Sequence, residues 1–424
     1  MTMTGWRRLT PPHSYRILTT VAAGALLVSG CGILPGDSGD SREPVTVMTW
    51  APDTTEADTV NMAGMSAMAT AYARWTDEKG GIDGHELRVL TCNEQDTATG
   101  ASKCARRAAD EDVAAVVGSY SRHGRAFLAP LEAAGIPYIG GYGASADEFT
   151  SYLSYPVNGG QPALLAGNGR QLAPSCERVS LVRPDTLVGD TMPGLLDASL
   201  SRSKRPASYD ISTTEEATSY DAEAAEALDR AGDGCVTAVL GKGTETFFDS
   251  FRRLEPEGSE VRISSVLGSV GQGLIDRTGG PDSPFEGALV TGWYPAPGDA
   301  RWNEMRDVIE KYAFGDDRID PSDTGVQTTW IAYTVLKAVV EAMDRPDITA
   351  GGISVSLNRG AEVDTGGLTP VLRWRFQDMV GTAAYRRIVN GRVTFQVVRE
   401  GRLTAERKGF VDVTETLVNA PAGG

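Results

Sequence analysis

Glu78-Lys79-Gly80-Gly81-Ile82-Asp83-Gly84-His85-Glu86-Leu87 is the stretch on which the fold turns. Upstream of it Met65, Met68, Ala69 and Tyr72 recur at the spacing of a helix with one buried face. Gly80-Gly81 stops that helix, because glycine enters the left-handed conformation of a C-terminal cap without a Cβ clash. Glu86 to Thr91 then reads as a strand. A helix that ends on paired glycines and hands the chain straight to a strand is one step of an alternating α/β fold.

The alternation continues in both directions. Val45 to Trp50 reads as a strand closed by the turn Ala51-Pro52-Asp53. After the corner come a helix over Thr97 to Ala109, a strand over Val113 to Gly118, a helix over Arg125 to Ala134 and a strand over Pro137 to Gly140. A second series follows a seam between Thr150 and Gln161: strands at Val179 to Val182, Val236 to Leu240 and Arg262 to Val266, with helices near Asp190 to Leu200 and Thr246 to Leu254. Two doubly wound lobes are expected, and 424 residues are too many for one compact core. Beyond a strand at Ala288 to Thr291, a helix around Gln327 to Met343 carries Ala332, Val335, Leu336 and Val339 on one side and needs a sheet to cover. Arg392 to Val398, the turn Glu400-Gly401 and Arg402 to Thr404 read as a hairpin followed by a polar tail. No repeat of solenoid period is visible.

The first thirty residues read as an export signal: Arg7, Arg8 and Arg16 precede an uncharged apolar run from Ile17 to Val28, too short to span a bilayer comfortably. Arg7-Arg8 lacks the flanking pattern of twin-arginine export. The run closes on Val28-Ser29-Gly30-Cys31, which resembles a bacterial lipobox and makes Cys31 the expected lipidated residue. The competing reading is an ordinary secretory signal with a chance cysteine. Residues 31–44 are rich in Gly, Pro, Ser and Asp and read as a flexible tether. The chain has a net charge of -16, and loss of a leader with three arginines and no acid makes the remainder more negative. That sign argues against nucleic acid or anionic lipid as a partner, so membrane contact is expected through the lipid alone.

Four further cysteines make an even number in an exported chain, where disulfides persist. Of three possible pairings, Cys92 with Cys104 and Cys176 with Cys235 is the natural one. The first pair brackets a short loop-to-helix stretch, and each member of the second sits just before an apolar strand. A zinc site is the rival, but no CxxC or histidine cluster supports it, and no metal or cofactor is expected.

The opening stretch resembles the helix-to-strand corner of the Leu/Ile/Val-binding protein family of ABC-transporter receptors. Val116-Val117-Gly118-Ser119, Ala134-Gly135-Ile136-Pro137 and Gly366-Gly367-Leu368-Thr369-Pro370 resemble further landmarks in the family's order, the last typical of its actinobacterial members. The resemblance implies a type I periplasmic-binding fold in which the chain crosses three times between two lobes, near Tyr155, Gly292 and Thr369. The N-terminal lobe is then residues 45–156 with 293–369, and the C-terminal lobe 157–292 with 370–418, leaving 419–424 as a disordered tail. The partners implied are a small polar ligand and the membrane permease of an ABC importer, with the receptor itself a monomer. A branched-chain amino acid or an amide is the family's type of cargo. The other reading is a lipoprotein that senses a ligand without transporting it. A permease and ATPase pair encoded beside the chain would favour transport, a sensor kinase neighbour sensing.

In open α/β sheets ligands collect beyond the carboxyl ends of the strands. The third strand delivers Ser119-Tyr120-Ser121-Arg122 there, two hydroxyls, an aromatic face and a guanidinium suited to a carboxylate or carbonyl. The fourth delivers Gly140-Gly141 and then Tyr142-Gly143-Ala144-Ser145, which matches the loop through which the family contacts its ligand with backbone groups and a hydroxyl. Trp50, at the end of the first strand, is either a pocket wall or an ordinary core tryptophan. Across the cleft Val188 and Lys242 stand where relatives place aromatics, and Leu267 to Gly273 lacks the acid that would pair a ligand's ammonium. That absence argues against an α-amino acid unless Asp190 or Glu245 supplies the charge.

Enzymatic readings find little footing. Gly241-Lys242-Gly243-Thr244 lacks the upstream glycine of a phosphate-binding loop and has Gly243 where Ser or Thr belongs. There is no GxSxG elbow. His85 reads as a surface turn residue and His123 as a helix-start residue near the cleft, in no metal-like spacing.

Overall fold

The computed structural model describes residues 42–54, 60–343 and 345–420. The expected leader, Cys31 and most of the tether lie outside the described residues. So do 421–424 of the expected tail, while Asn419 closes a helix that starts at Thr414.

The first sheet is fully parallel. Its strands are β1 (Arg42–Ala51), β2 (His85–Asn93), β3 (Ala115–Val117), β4 (Tyr138–Ile139) and β5 (Ser154–Tyr155), in the order β2-β1-β3-β4-β5. β1 starts three residues before the expected Val45, so 42–44 belong to the lobe rather than to the tether. The opening stretch behaves as its residues dictate. The helix Ala63–Glu78 buries Met65, Met68, Ala69 and Tyr72, and the chain turns at Gly81, where a β-carbon would stand 2.1 Å from His85 O. His85 is buried, not a surface residue, with Nδ1 2.6 Å from Glu43 O. Thr97 caps the helix Ala98–Asp110 by accepting from Gly100 N–H at 3.0 Å.

The second sheet is mixed. It contains β6 (Val179–Pro184), β7 (Tyr209–Thr213), β8 (Cys235–Ala238), β9 (Arg262–Val266), β10 (Leu289–Gly292), β11 (Arg392–Arg399) and β12 (Arg402–Ala405), in the order β12-β11-β10-β9-β8-β6-β7. β13 (Val411–Asp412) pairs with β11. β11 and β12 form the expected antiparallel hairpin across Glu400-Gly401. The segment after it is no polar tail: Val411, Val413 and Leu417 are buried, and the helix Thr414–Asn419 packs on Gly160–Leu172.

The helix Thr324–Met343 returns to the first sheet and covers β3 and β4. Thr49 Oγ1 lies 2.8 Å from Tyr333 Oη, and Thr329 Oγ1 donates to Gly118 O at 3.0 Å. Gly140 is a packing device here, since a β-carbon on it would come within 2.4 Å of Ala332 Cβ. The chain leaves the first sheet after Tyr155 and leaves the second after Gly292. The last return comes late: Arg387 N–H donates to Phe149 O at 2.9 Å and Arg387 Nε to Ser154 O at 2.9 Å, so the chain stays beside the first lobe until about Asn390.

Both expected pairings of cysteine are present: Cys92–Cys104 and Cys176–Cys235, with Cα atoms 5.8 and 5.6 Å apart. The second staples neighbouring strands, because Cys235 lies opposite Val179 in the β6–β8 ladder. Among the described residues no helix is long and apolar enough to cross a membrane.

Candidate functional site

The carboxyl ends of both sheets converge on a cavity of about 240 Å³. The first lobe contributes Met62, Tyr142, Asp320, Ser322, Asp323 and Thr324. The second contributes Gly241, Lys242 and Glu245 from the loop and helix start after β8, and Gly268, Ser269 and Gly271 with residues of the helix Gln272–Arg277 after β9. Tyr142 spans the gap. Its hydroxyl lies 3.1 Å from where a β-carbon would sit on Gly268, its ring meets Trp293 edge-on at 5.3 Å, and its carbonyl accepts from Asn158 Nδ2 at 3.3 Å.

Of the residues singled out from the sequence, Tyr142 and Lys242 line this cavity. Trp50 is fully buried, packed on Phe127 at 5.5 Å and Tyr138 at 6.0 Å in the core under the sheet. Ser119 is turned inward: its hydroxyl accepts from Trp50 N–H at 3.0 Å. Tyr120 packs against Tyr142 with centroids 5.1 Å apart and ring planes tilted by 57°. Ser121 Oγ donates to Glu94 Oε2 at 2.8 Å and accepts from His123 N–H at 3.1 Å. Arg122 is gripped through Nε and Nη2 by the two oxygens of Asp96. In the loop after β4, Gly143 N–H and Ser145 N–H donate to the two oxygens of Glu148 at 3.1 and 3.0 Å, and Ser145 Oγ accepts from Asp147 N–H at 3.2 Å. Ala144 is half-buried against Ala51, Met65 and Tyr120. Val188 is 50 % exposed beside Leu187 at 89 %, and neither lines this cavity.

Two carboxyls escaped the sequence reading and shape the electrostatics behind these loops. Burial pushes Glu94 up to about 7, against the lowering pull of its bond from Ser121. Burial likewise pushes Glu148 up to about 8, although three backbone N–H groups and Tyr138 favour its charged form. Within the cavity Asp323 caps the helix Thr324–Met343 by accepting from Val326 N–H at 2.9 Å. Burial, then the neighbouring Asp320 carboxylate, holds Asp323 above the ordinary aspartate range. The signal for Asp323 was present as an aspartate in Ile319-Asp320-Pro321-Ser322-Asp323-Thr324, just ahead of a periodic apolar run. Starting that helix at Gln327 hid it. The two acids considered as ammonium partners are both paired, Asp190 with Arg183 at 2.7 Å and Glu245 with Arg277 at 3.0 Å. Among the described residues no three His, Cys, Asp or Glu side chains cluster as metal ligands would.

A sequence profile of the periplasmic binding protein family matches residues 44–386, and the chain belongs to that family. Its architecture is the type I periplasmic-binding fold, two doubly wound lobes joined by three hinge segments. Solved structures carry the same fold at low identity. A substrate-binding periplasmic protein from Ralstonia solanacearum superposes with a TM-score of 0.69 at 17 % identity over 85 % of this chain and 100 % of its own. A possible leucine/isoleucine/valine-binding protein from Rhodopirellula baltica gives 0.71 at 14 % over 89 % and 98 %. A solute-binding protein of an ABC transporter from R. palustris, in complex with 4-hydroxybenzoate, gives 0.68 at 12 % over 87 % and 97 %. No curated protein matches the chain significantly. The family is extracytoplasmic and binds solutes rather than transforming them.

Proposed function

We propose that the chain is a lipid-anchored solute-binding protein that captures a small polar molecule between its lobes and passes it to the permease of an ABC importer. The observation that carries this reading is a small cavity whose walls come from both lobes, with Tyr142 reaching Gly268 across it. A ligand held by both walls stabilises the closed arrangement, whereas one held by a single wall shifts nothing. The lobes run from Arg42 to about Pro156 with 293–389, and from about Val157 to Gly292 with 390–420; the late hydrogen bonds of Arg387 support moving the third crossing from Thr369 to Asn390. The anchor rests on the lipobox-like ending at Cys31.

The test is a thermal-shift screen of the purified protein against amino acids, amides, sugars and short peptides, followed by small-angle scattering on each hit. A solute that raises the melting temperature and compacts the protein supports the reading. A screen in which hits bind without compaction, and deletion of the protein leaves their uptake intact, refutes it.

A further inference from the structure

The cleft side of the first lobe has most of its donors engaged, while Asp320, whose Oδ1 accepts from Ser322 N–H at 2.7 Å and Ser322 Oγ–H at 2.6 Å, is exposed, and Asp323 is partly buried as a helix cap. The backbone N–H groups of Gly143 and Ser145 both point at Glu148, Ser121 Oγ–H points at Glu94, and the Arg122 guanidinium is held by Asp96. A carboxylate arriving at these loops would meet backbone and serine donors already satisfied and an Arg122 whose Nε and Nη2 are already paired with Asp96, with buried carboxyls directly behind them. Glu94 is fully buried, and its Oε1 has no partner among the described residues. What the first lobe shows to the cavity is Asp320, Asp323 and the ring of Tyr142, backed by Tyr120 and Trp293. Asp320 turns Oδ2 toward the second lobe, 3.7 Å from the β-carbon position of Gly273. The Asp320 carboxylate adds to the burial that raises Asp323; a positive charge placed between the two relieves that repulsion, and an aromatic face beside them adds to the attraction.

Resting on the solute-binding reading above, we propose that the ligand is a small molecule bearing an ammonium or guanidinium group, seated on the first lobe at Asp320 and Asp323 against Tyr142. The polarity is the reverse of the carboxylate seat that Ser119-Tyr120-Ser121-Arg122 suggests in the sequence. The cavity, about 240 Å³ at roughly 30 Å³ per water, holds the volume of about eight waters, which suits a ligand of amino-acid size. Lys242 and the Arg277–Glu245 pair stand on the opposite wall.

Calorimetry with six probes separates the possibilities. Agmatine and 1,4-diaminobutane carry cations without a carboxylate, arginine and lysine carry both, and isovalerate and glucose carry no cation. At least one amine binds and isovalerate does not. Asp323→Asn, which keeps a side chain able to cap the helix, weakens the amines by tenfold or more, and Asp320→Asn repeats the test should the first variant unfold early. Arginine over agmatine assigns a carboxylate seat to the second lobe; agmatine over arginine assigns none, and either ranking supports the proposal. Binding of isovalerate or glucose with no response to any amine, or amine binding untouched by both substitutions, overturns the proposal and leaves the solute-binding reading standing. A protein that no solute compacts loses both.

Discussion

Glu148 gives a sharp prediction because its carboxyl is buried, holds the loop after β4 in place and has a folded-state pKa of about 8 against an ordinary 4.5. The folded protein therefore keeps a proton that the unfolded chain releases. Stability from this group is fully present below pH 4.5 and is lost as the pH rises through about 8. At about 1.36 kcal/mol per pKa unit, the loss between pH 5 and pH 9 is roughly 4 kcal/mol. Glu148→Gln removes the titration. It leaves the N–H of Gly143 or Ser145 facing an amide NH2 instead of an oxygen, at a cost of about 1 kcal/mol. The two stability curves should cross: the variant is less stable at pH 5 and more stable at pH 9. Urea unfolding followed by tryptophan fluorescence at several pH values measures this, and Glu94, present in both proteins, cancels in the difference. Parallel curves across that range would refute the assignment of a buried, protonated Glu148.

Three further outcomes follow from the same structure. Removing Cys176–Cys235, whose ends are 59 apart in sequence, should cost roughly 4 kcal/mol, and removing Cys92–Cys104, 12 apart, roughly 3 kcal/mol; equal or reversed losses by calorimetry would contradict the loop-entropy account. Cys31→Ala should release the protein from the membrane fraction or leave its leader uncleaved, whereas a processed, membrane-bound species would refute the anchor. Gly268→Val places a branched side chain where the Tyr142 hydroxyl stands 3.1 Å from the β-carbon position, so the lobes are wedged apart and solute no longer lowers the radius of gyration; compaction equal to that of the parent protein would show that this contact does not form on closure.

The alternating architecture was legible in the sequence wherever an element buries large side chains at a regular spacing. Met65, Met68 and Tyr72 announce their helix, and Val393, Phe395 and Val397 their strand. Elements built from small residues were not legible. The helix Asp221–Ala231 faces the core with Ala224, Ala227 and Ala231, a stripe too weakly apolar to stand out. The helix Gly160–Leu172, left unassigned in the sequence, contains Pro162, Gly167 and Gly169, which weaken any helical signal but let it press against Thr291, Val393 and Leu196. β7 offers only Ile211 and Thr213 to the interior, as an edge strand does. Part of the candidate site was legible. Strand ends locate Tyr142 and Lys242, but the sequence cannot reveal that Ser121, Arg122, Gly143 and Ser145 give their hydrogen bonds to Glu94, Asp96 and Glu148, because those partners come together only when the loops fold.

Small-angle scattering of the protein with and without each solute that raises its melting temperature tests the central claim most directly. Closure of two lobes on a shared ligand predicts that the radius of gyration falls on saturation with at least one such solute, and that the fall disappears when the Tyr142 side of the cleft is disabled by Tyr142→Ala. A radius that stays constant under every stabilising solute would contradict it.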